Sequence, residues 1–298
     1  MTSTKKHFEH DFYVVTALTN LHAGSGDTNY GLVDKTVQCD PATKLPTVFS
    51  SSLKGALREY FEVEQGIPEA QATEVFGTAI KAVREQEPEE NDSTKANKGK
   101  EFSPGRYRFF GLDLLSFPAR SSHRLFHRIV APDQLASILN RLRSFSYQPS
   151  DHQPDYAALI DRLLGNFDGA KVFEEDTVII ESYEADKKNH DGNDLKQLYK
   201  LLGEPLALLT DKQYKDVLGH LPVIARNQLE NGESQNLWYE EIVPRETRFL
   251  TVVSRPTNCQ YKLDLHGHVV QIGANGSIGY GLCLFEDINK LSKDGKAG

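Results

Sequence analysis

Residues 12–21 are rich in Val, Thr, Tyr and Leu and contain neither proline nor glycine, which predicts a strand ending at a glycine-bearing loop over 22–29. Residues 33–39 then alternate: Val33, Lys35, Val37 and Cys39 share one face, and Asp34, Thr36 and Gln38 the other. Asp40-Pro41 opens a turn, residues 45–49 make a second short strand, and Ser50, Ser51 and Ser52 are cap residues for a helix. That helix is predicted by Leu53, Ala56, Leu57, Tyr60 and Phe61, whose spacing makes one buried face. A strand or hairpin follows over 106–117, and Pro132 begins a helix carrying Leu135, Ile138, Leu139 and Leu142. Short helices are predicted over 156–164, 194–202 and 211–218. Asn231-Gly232-Glu233 turns an extended hairpin spanning 222–243, and strands over 247–253, 269–272 and 282–285 complete the pattern. Strands and helices mixed without regular alternation indicate an α+β fold with an antiparallel sheet and insertions.

Composition adjusts this picture in three places. The 298 residues allow two domains, or one with large insertions. Between 85 and 100 the only hydrophobic residue is Ala96, so a disordered loop is expected across 85–104. The formal net charge of -8 excludes a uniformly basic particle, so any polyanion site must be local. No apolar run approaches the about 18 residues of a membrane span and residues 1–10 lack the apolar core of a signal peptide, which gives a cytoplasmic expectation with no membrane partner. Cys39, Cys259 and Cys283 show no paired spacing and read as free thiols.

Four stretches could carry chemistry. Lys54 lies in a first helical turn, where the dipole disfavours a cation unless an anion is shared, so Ser51, Ser52, Lys54 and Arg58 form a phosphate site or else an ordinary serine cap beside a solvated lysine. Two glycine-rich loops, 21–26 and 273–281, could bring backbone amides close to a phosphate, or simply turn hairpins. From Arg106 to Arg128, five arginines face one acid, Asp113, and interleave with aromatics. That is either a nucleic-acid surface or a half-buried hairpin paired with carboxylates elsewhere. Asp34 beside the first loop could bind a divalent metal or act as a base, and His22 could position a phosphate or serve as a structural hydrogen-bonder.

Taken in order, residues 21–26 (Leu-His-Ala-Gly-Ser-Gly), 31–34 (Gly-Leu-Val-Asp), 51–58 (Ser-Ser-Leu-Lys-Gly-Ala-Leu-Arg), 112–121, 221–226, 240–247 and 272–281 resemble the RAMP proteins of type III CRISPR effector complexes. The likeness is in particular to the family of repeated backbone subunits of the type III-B (Cmr) complex, the fourth Cmr-module RAMP. It spans almost the whole chain. Departures lie at Val48-Phe49-Ser50, Cys39, Ala274 and Gly276.

The resemblance implies a single RAMP domain over 1–298 with an RRM-like (ferredoxin-like) core, helical insertions and a protruding β-hairpin thumb at 222–243. It implies copies stacked in a helical filament on guide (CRISPR) RNA, other subunits of the complex, and complementary target RNA cut at regular intervals. Ser51, Ser52, Lys54, Arg58, Arg226, Gly273, Asn275, Ser277, Gly279 and Gly281 would contact RNA. Asp34 would be the catalytic carboxylate and the ligand of a divalent metal ion, Mg2+ or Mn2+, with His22 auxiliary. A non-cleaving filament scaffold and a small-molecule phosphate enzyme are the other classes open.

Overall fold

In the computed structural model, which describes residues 7–26, 33–78, 102–151, 153–173, 176–188 and 192–291, the first predicted strand is β1 (Phe8–Ala17) and it buries both faces. Tyr13, Val15 and Ala17 enter one apolar cluster, whereas Phe12 and Val14 enter another on the opposite side. A strand covered on both sides reads as a nearly continuous apolar run, and so was visible in the sequence. Its start lies earlier than expected because Phe8 to Asp11 still pair with the far end of β11 (Arg248–Pro256), where Arg255 meets the carboxylates of Glu9 and Asp11. Residues 18–21 leave the sheet, and Leu21 bridges Val243 instead.

The other strands are β2 (Arg108–Phe109), β3 (Asp113–Arg120), β4 (Phe126–Val130), β5 (Lys171–Val172), β6 (Val178–Ile180), β7 (Tyr183–Lys187), β8 (Leu206–Leu208), β9 (Val223–Glu230), β10 (Glu233–Glu241), β12 (Val269–Gln271) and β13 (Leu282–Asp287). Among the described residues the main sheet runs β12-β13-β1-β11-β3-β4-β8-β5-β7-β6, with β2 beside β11. It is mostly antiparallel, but β4 with β8 and β5 with β7 are parallel, which the purely antiparallel expectation missed. Parallel neighbours need long crossovers, and helices supply the β4–β8 crossover.

Helix α1 (Ser50–Glu59) continues through one π turn, Tyr60–Glu64, and buries Leu53, Leu57, Tyr60 and Phe61 as the spacing predicts. With α2 (Glu69–Phe76) and α6 (Asp211–Leu218) it packs on one side of the sheet, while α3 (Pro132–Ser144), α4 (Tyr156–Gly165) and α5 (Gly192–Leu202) cover the other. Each fully buried Leu or Ile in these layers stabilises the fold by about 1.5–3 kcal/mol. The short strand predicted over 45–49 is only a pair of isolated bridges, Pro46 to Cys39 and Val48 to Leu112, because one hydrogen-bonded position on each side cannot extend a ladder. Likewise 33–39 pairs residue by residue with three different segments rather than forming a regular strand. The loop expected over 85–104 lies outside the described residues up to 101, and Pro104 bridges Gly77.

Two hydrogen-bonded strands, β9 and β10, form a separate hairpin turned at Asn231-Gly232, both with positive φ. That is the Asn-Gly turn chemistry read from the sequence. The described side chains from Asn227 to Leu237 are exposed, and only the hairpin's base meets the body.

Candidate functional site

The residues singled out in three distant motifs meet at the base of this hairpin. Lys35 bridges Glu240 in parallel: its amide and that of Asp34 both donate to the Tyr239 carbonyl, at 3.1 and 3.0 Å, and the Glu241 amide donates to the Lys35 carbonyl at 2.9 Å. Asp34 is exposed, and its Oδ2 accepts from the Tyr239 amide at 2.8 Å. The Asp34 segment is thus a third strand-like layer on the hairpin's edge. Its carboxylate is held in place through one oxygen.

Behind Asp34 lies a carboxylate that the sequence reading did not select. Glu240 is only 1% exposed, yet it receives Lys35 Nζ at 3.1 Å, Trp238 Nε1 at 3.0 Å and Asn275 Nδ2 at 3.1 Å, and ion-pairs with Arg226 Nε at 2.6 Å. Burial pushes its pKa up, but the hydrogen bonds from Trp238 and Lys35 and the charge of Arg226 outweigh burial and hold the carboxyl below the usual range. It therefore stays ionised and joins four pieces of chain: the Asp34 segment, both hairpin strands and the terminal glycine-rich loop. The visible signal was weak, since an acid in a hairpin of alternating residues reads as solvated. Arg226, expected to hold RNA, is ion-paired with Glu240 and lies over the face of Tyr280, 4.9 Å from the ring centre.

His22 is 3% exposed, and its Nδ1 lies 2.8 Å from the Glu241 carbonyl, a contact in which the ring N–H must donate. Its backbone carbonyl accepts from Ala274. This places it as a strap between the first loop, the hairpin and the last loop. In the last loop, a Cβ on Gly273 would sit 2.5 Å from the His22 carbonyl, and one on Gly281 would sit 2.0 Å from that of Ile272, both at positive φ. Gly281 is buried, and its missing side chain serves chain packing. Asn275 is in the left-handed region and donates to Glu240; Gly273, Ser277 and Gly279 are exposed.

Gln38 ties this assembly to α1. Buried to 7% exposure, it donates from Nε2 to the Gly24 carbonyl at 3.1 Å and to Ser52 Oγ at 3.0 Å, and its Oε1 accepts from the Phe49 amide at 2.7 Å. The polar face predicted for Asp34, Thr36 and Gln38 thus turns inward at its third member. The serines do not cap the helix: Phe49 is the N-cap residue and makes no side-chain cap bond, unlike the Thr210 capping box of α6. The amides of the first helical turn are left without a capping side chain, next to exposed Ser51 and half-exposed Lys54, an arrangement suited to an anion. Lys54 has no ion-pair partner among the described residues, whereas Arg58 is paired with Glu62 at 2.8 Å.

The basic, aromatic stretch takes the plainer of its two readings. Tyr107, Phe109 and Phe117 are buried; Arg106, Arg120 and Arg128 pair with Glu74, Glu181 and Glu246, and Arg108 lies over Phe8. Among the described residues no group of three or more His, Cys, Asp and Glu side chains is arranged to hold a metal ion. Asp34 offers one exposed carboxylate with one oxygen engaged, so it fits a divalent ion that draws its remaining ligands from phosphate and water, as magnesium commonly does.

A family model for the RAMP superfamily matches residues 14–284. The CRISPR system Cmr endoribonuclease Cmr4 of Pyrococcus furiosus is 26% identical over 292 residues, covering 89% of this chain and 90% of that protein. Among solved structures, the apo type III-B Cmr-beta cryo-EM structure superposes with a TM-score of 0.75 at 20% identity, covering 95% of this chain and 99% of the other. Oligomeric Cmr4 from Pyrococcus furiosus superposes with a TM-score of 0.62 at 17% identity, covering 95% and 100%. These structural likenesses establish a shared fold. No helix among the described residues is long and apolar enough to cross a membrane.

Proposed function

The chain belongs to the RAMP superfamily, and on that premise we propose that it is a backbone subunit of a type III-B CRISPR ribonucleoprotein that binds guide RNA and cuts complementary target RNA. In this reading the main sheet is an elaborated RRM-like core, β9–β10 is the thumb, and copies of the chain line the guide as a helical filament beside other subunits. The relative named a Cmr endoribonuclease and the Cmr-beta structure bound to cognate target RNA, which superposes with a TM-score of 0.72, support it. The observation that carries it is Asp34: an exposed carboxylate fixed by the backbone of a projecting hairpin, one bridge away from the loops expected to carry RNA.

In this reading the tasks are separate. Guide phosphates lie at the uncapped start of α1 beside Ser51, Ser52 and Lys54, and along Gly273, Ser277 and Gly279. Such backbone contacts suffice because base pairing supplies sequence specificity. The hairpin parts the target duplex at intervals and unstacks one nucleotide at its base. In A-form RNA the 2'-hydroxyl is not in line with the leaving oxygen, and unstacking lets it reach that alignment. The 2'-oxygen then bonds to phosphorus as the 5'-oxygen bond breaks, leaving a 2',3'-cyclic phosphate and a 5'-hydroxyl. Asp34 would orient the attacking group or hold a divalent ion, and such an ion would supply positive charge to offset that of the scissile phosphate in the transition state. His22 and Glu240 position the Asp34 segment.

A second reading, a non-cleaving filament scaffold, is favoured by the same Asp34 bond, since an aspartate accepting a backbone amide also serves as a structural lock. The two separate on one assay. Guide-loaded complexes with Asp34→Asn should bind target as wild type does and lose metal-dependent cutting by about a hundredfold or more. Equal cutting by Asp34→Asn and wild type overturns the catalytic reading, and no cutting by either leaves the scaffold.

A further inference from the structure

Tyr239 holds Asp34 with its backbone, but its side chain has no task in the account above. Along β10 the side chains alternate: Trp238 and Glu240 face the buried polar cluster, while Leu237 and Tyr239 stand on the other face, 53% and 41% exposed. The register pairs Tyr239 with Ala225 and Glu241 with Val223, and residues directly opposite share a face, so Val223, itself 43% exposed, belongs to the same apolar surface. The Tyr239 hydroxyl makes no hydrogen bond among the described residues.

A second register decides what lies beside the ring. Lys35 bridges Glu240, and their ion pair places both side chains on the inner face. One residue back on each segment, Asp34 sits at a bend beside Tyr239, where its exposed carboxylate accepts from the Tyr239 amide through Oδ2 at 2.8 Å. The candidate catalytic carboxylate is thus bonded to the backbone of the residue whose aromatic ring is exposed.

We infer that Tyr239 is the stacking platform for the unstacked base of the target nucleotide whose 2'-hydroxyl attacks, with Leu237 and Val223 extending the apolar surface on which that base rests. The inference rests on the cleavage reading above. It follows from what each group can recognise. Every base has a π-face, so an aromatic platform holds any base, which suits an enzyme whose target sequence is set by a guide rather than by the protein. With the base fixed on the ring, the sugar is carried over Asp34 and the free phenol lies at the edge of the surface.

The test is single-turnover cleavage by assembled, guide-loaded complexes of wild type, Tyr239→Ala, Tyr239→Phe and Asp34→Asn, on targets with either a normal base or an abasic site at the nucleotide 5' to the cut. Tyr239→Ala should slow cutting of the normal target by about tenfold or more, with target affinity changed less than about threefold. Tyr239→Phe should restore the rate. Wild type should cut the abasic target as slowly as Tyr239→Ala cuts the normal one, and Tyr239→Ala should lose nothing further on the abasic target. Wild-type cutting of the abasic target at full rate overturns the inference without any variant, and so does a Tyr239→Phe rate as low as that of Tyr239→Ala. Undiminished cutting by Asp34→Asn would instead overturn the cleavage reading and leave the Tyr239 comparison to be read separately.

Discussion

The side-chain amide of Gln38 donates to Ser52 Oγ at 3.0 Å, which joins the start of α1 to the segment that carries Asp34. From the same nitrogen it reaches the Gly24 carbonyl at 3.1 Å, and its oxygen takes the Phe49 amide at 2.7 Å. A buried amide with three such bonds sets the distance between the proposed guide and cleavage sites. Its replacement should be costly. Gln38→Leu leaves the Phe49 amide without its partner and should destabilise the fold by about 2–4 kcal/mol, lowering Tm by roughly 3–6 °C. Thermal unfolding of the isolated chain measures it. A change within 1 °C would show that Gln38 is not the tie described.

On α1 the two basic residues should separate. Lys54 has no ion-pair partner among the described residues, whereas Arg58 is 2.8 Å from Glu62. Lys54→Ala should weaken RNA binding for all sequences alike and reduce the salt dependence of affinity by about one phosphate contact, and Arg58→Ala should do less. Glu62→Gln frees Arg58 and should steepen the salt dependence. Titrations at several salt concentrations give all three slopes.

The hairpin tip is separable from its base. Asn227 to Asn236 lie beyond Arg226, Trp238 and Glu240, and their described side chains are exposed. Replacing them with Asn-Gly should leave Tm and guide binding nearly unchanged. Target cutting should fall by about tenfold or more, roughly 1.4 kcal/mol of barrier, because no nucleotide is displaced. A shortened chain that cuts at the same positions and rate would remove the hairpin from the mechanism.

A pH effect should appear away from the site. Burial raises the Asp113 pKa to about 6, which exceeds what the neighbouring Arg141 gives back. The folded state therefore binds this proton more tightly than the unfolded chain, whose value is near 3.8. Its contribution to stability is fully present below about pH 4 and is lost as pH rises through about 6. Asp113→Asn should remove that slope and at pH 7.5 should be no less stable than wild type, by a margin on the order of 1 kcal/mol after solvent screening. Urea unfolding at pH 4 and pH 7.5 tests the sign.

What was legible in the sequence follows from periodicity. The buried faces of α1 and α3 repeat at helical spacing over more than two turns, and the Asn231-Gly232 turn announces its hairpin, so these elements were found. Strands β5 and β8 have two and three residues, too few to show a period, and were missed. In the candidate site, Asp34 and the glycine-rich loops were selected by family motif, and the structure brings them to the hairpin's base. Glu240 was not recognised, because its function comes from Lys35, Arg226, Trp238 and Asn275 converging on it, and only Trp238 is a near neighbour in the chain. The pairing of Arg226 with Glu240 was not foreseen for the same reason: a cation's partner is not visible from its own surroundings in sequence.

The bond from the Tyr239 amide to Asp34 Oδ2 spans 205 positions of the chain. At a synthesis rate of about 5–20 residues per second, roughly 10 s or more separate the emergence of the two partners from the ribosome. Throughout that interval Asp34 is on the nascent chain without the hairpin backbone that fixes it, without Glu240 behind it and without the loop that docks on His22. A growing chain, even with transcripts all around it, therefore carries its carboxylate in an unassembled form, and the timing of translation itself delays the arming of the site until the hairpin and the glycine-rich loop have both docked on the segment that follows β1.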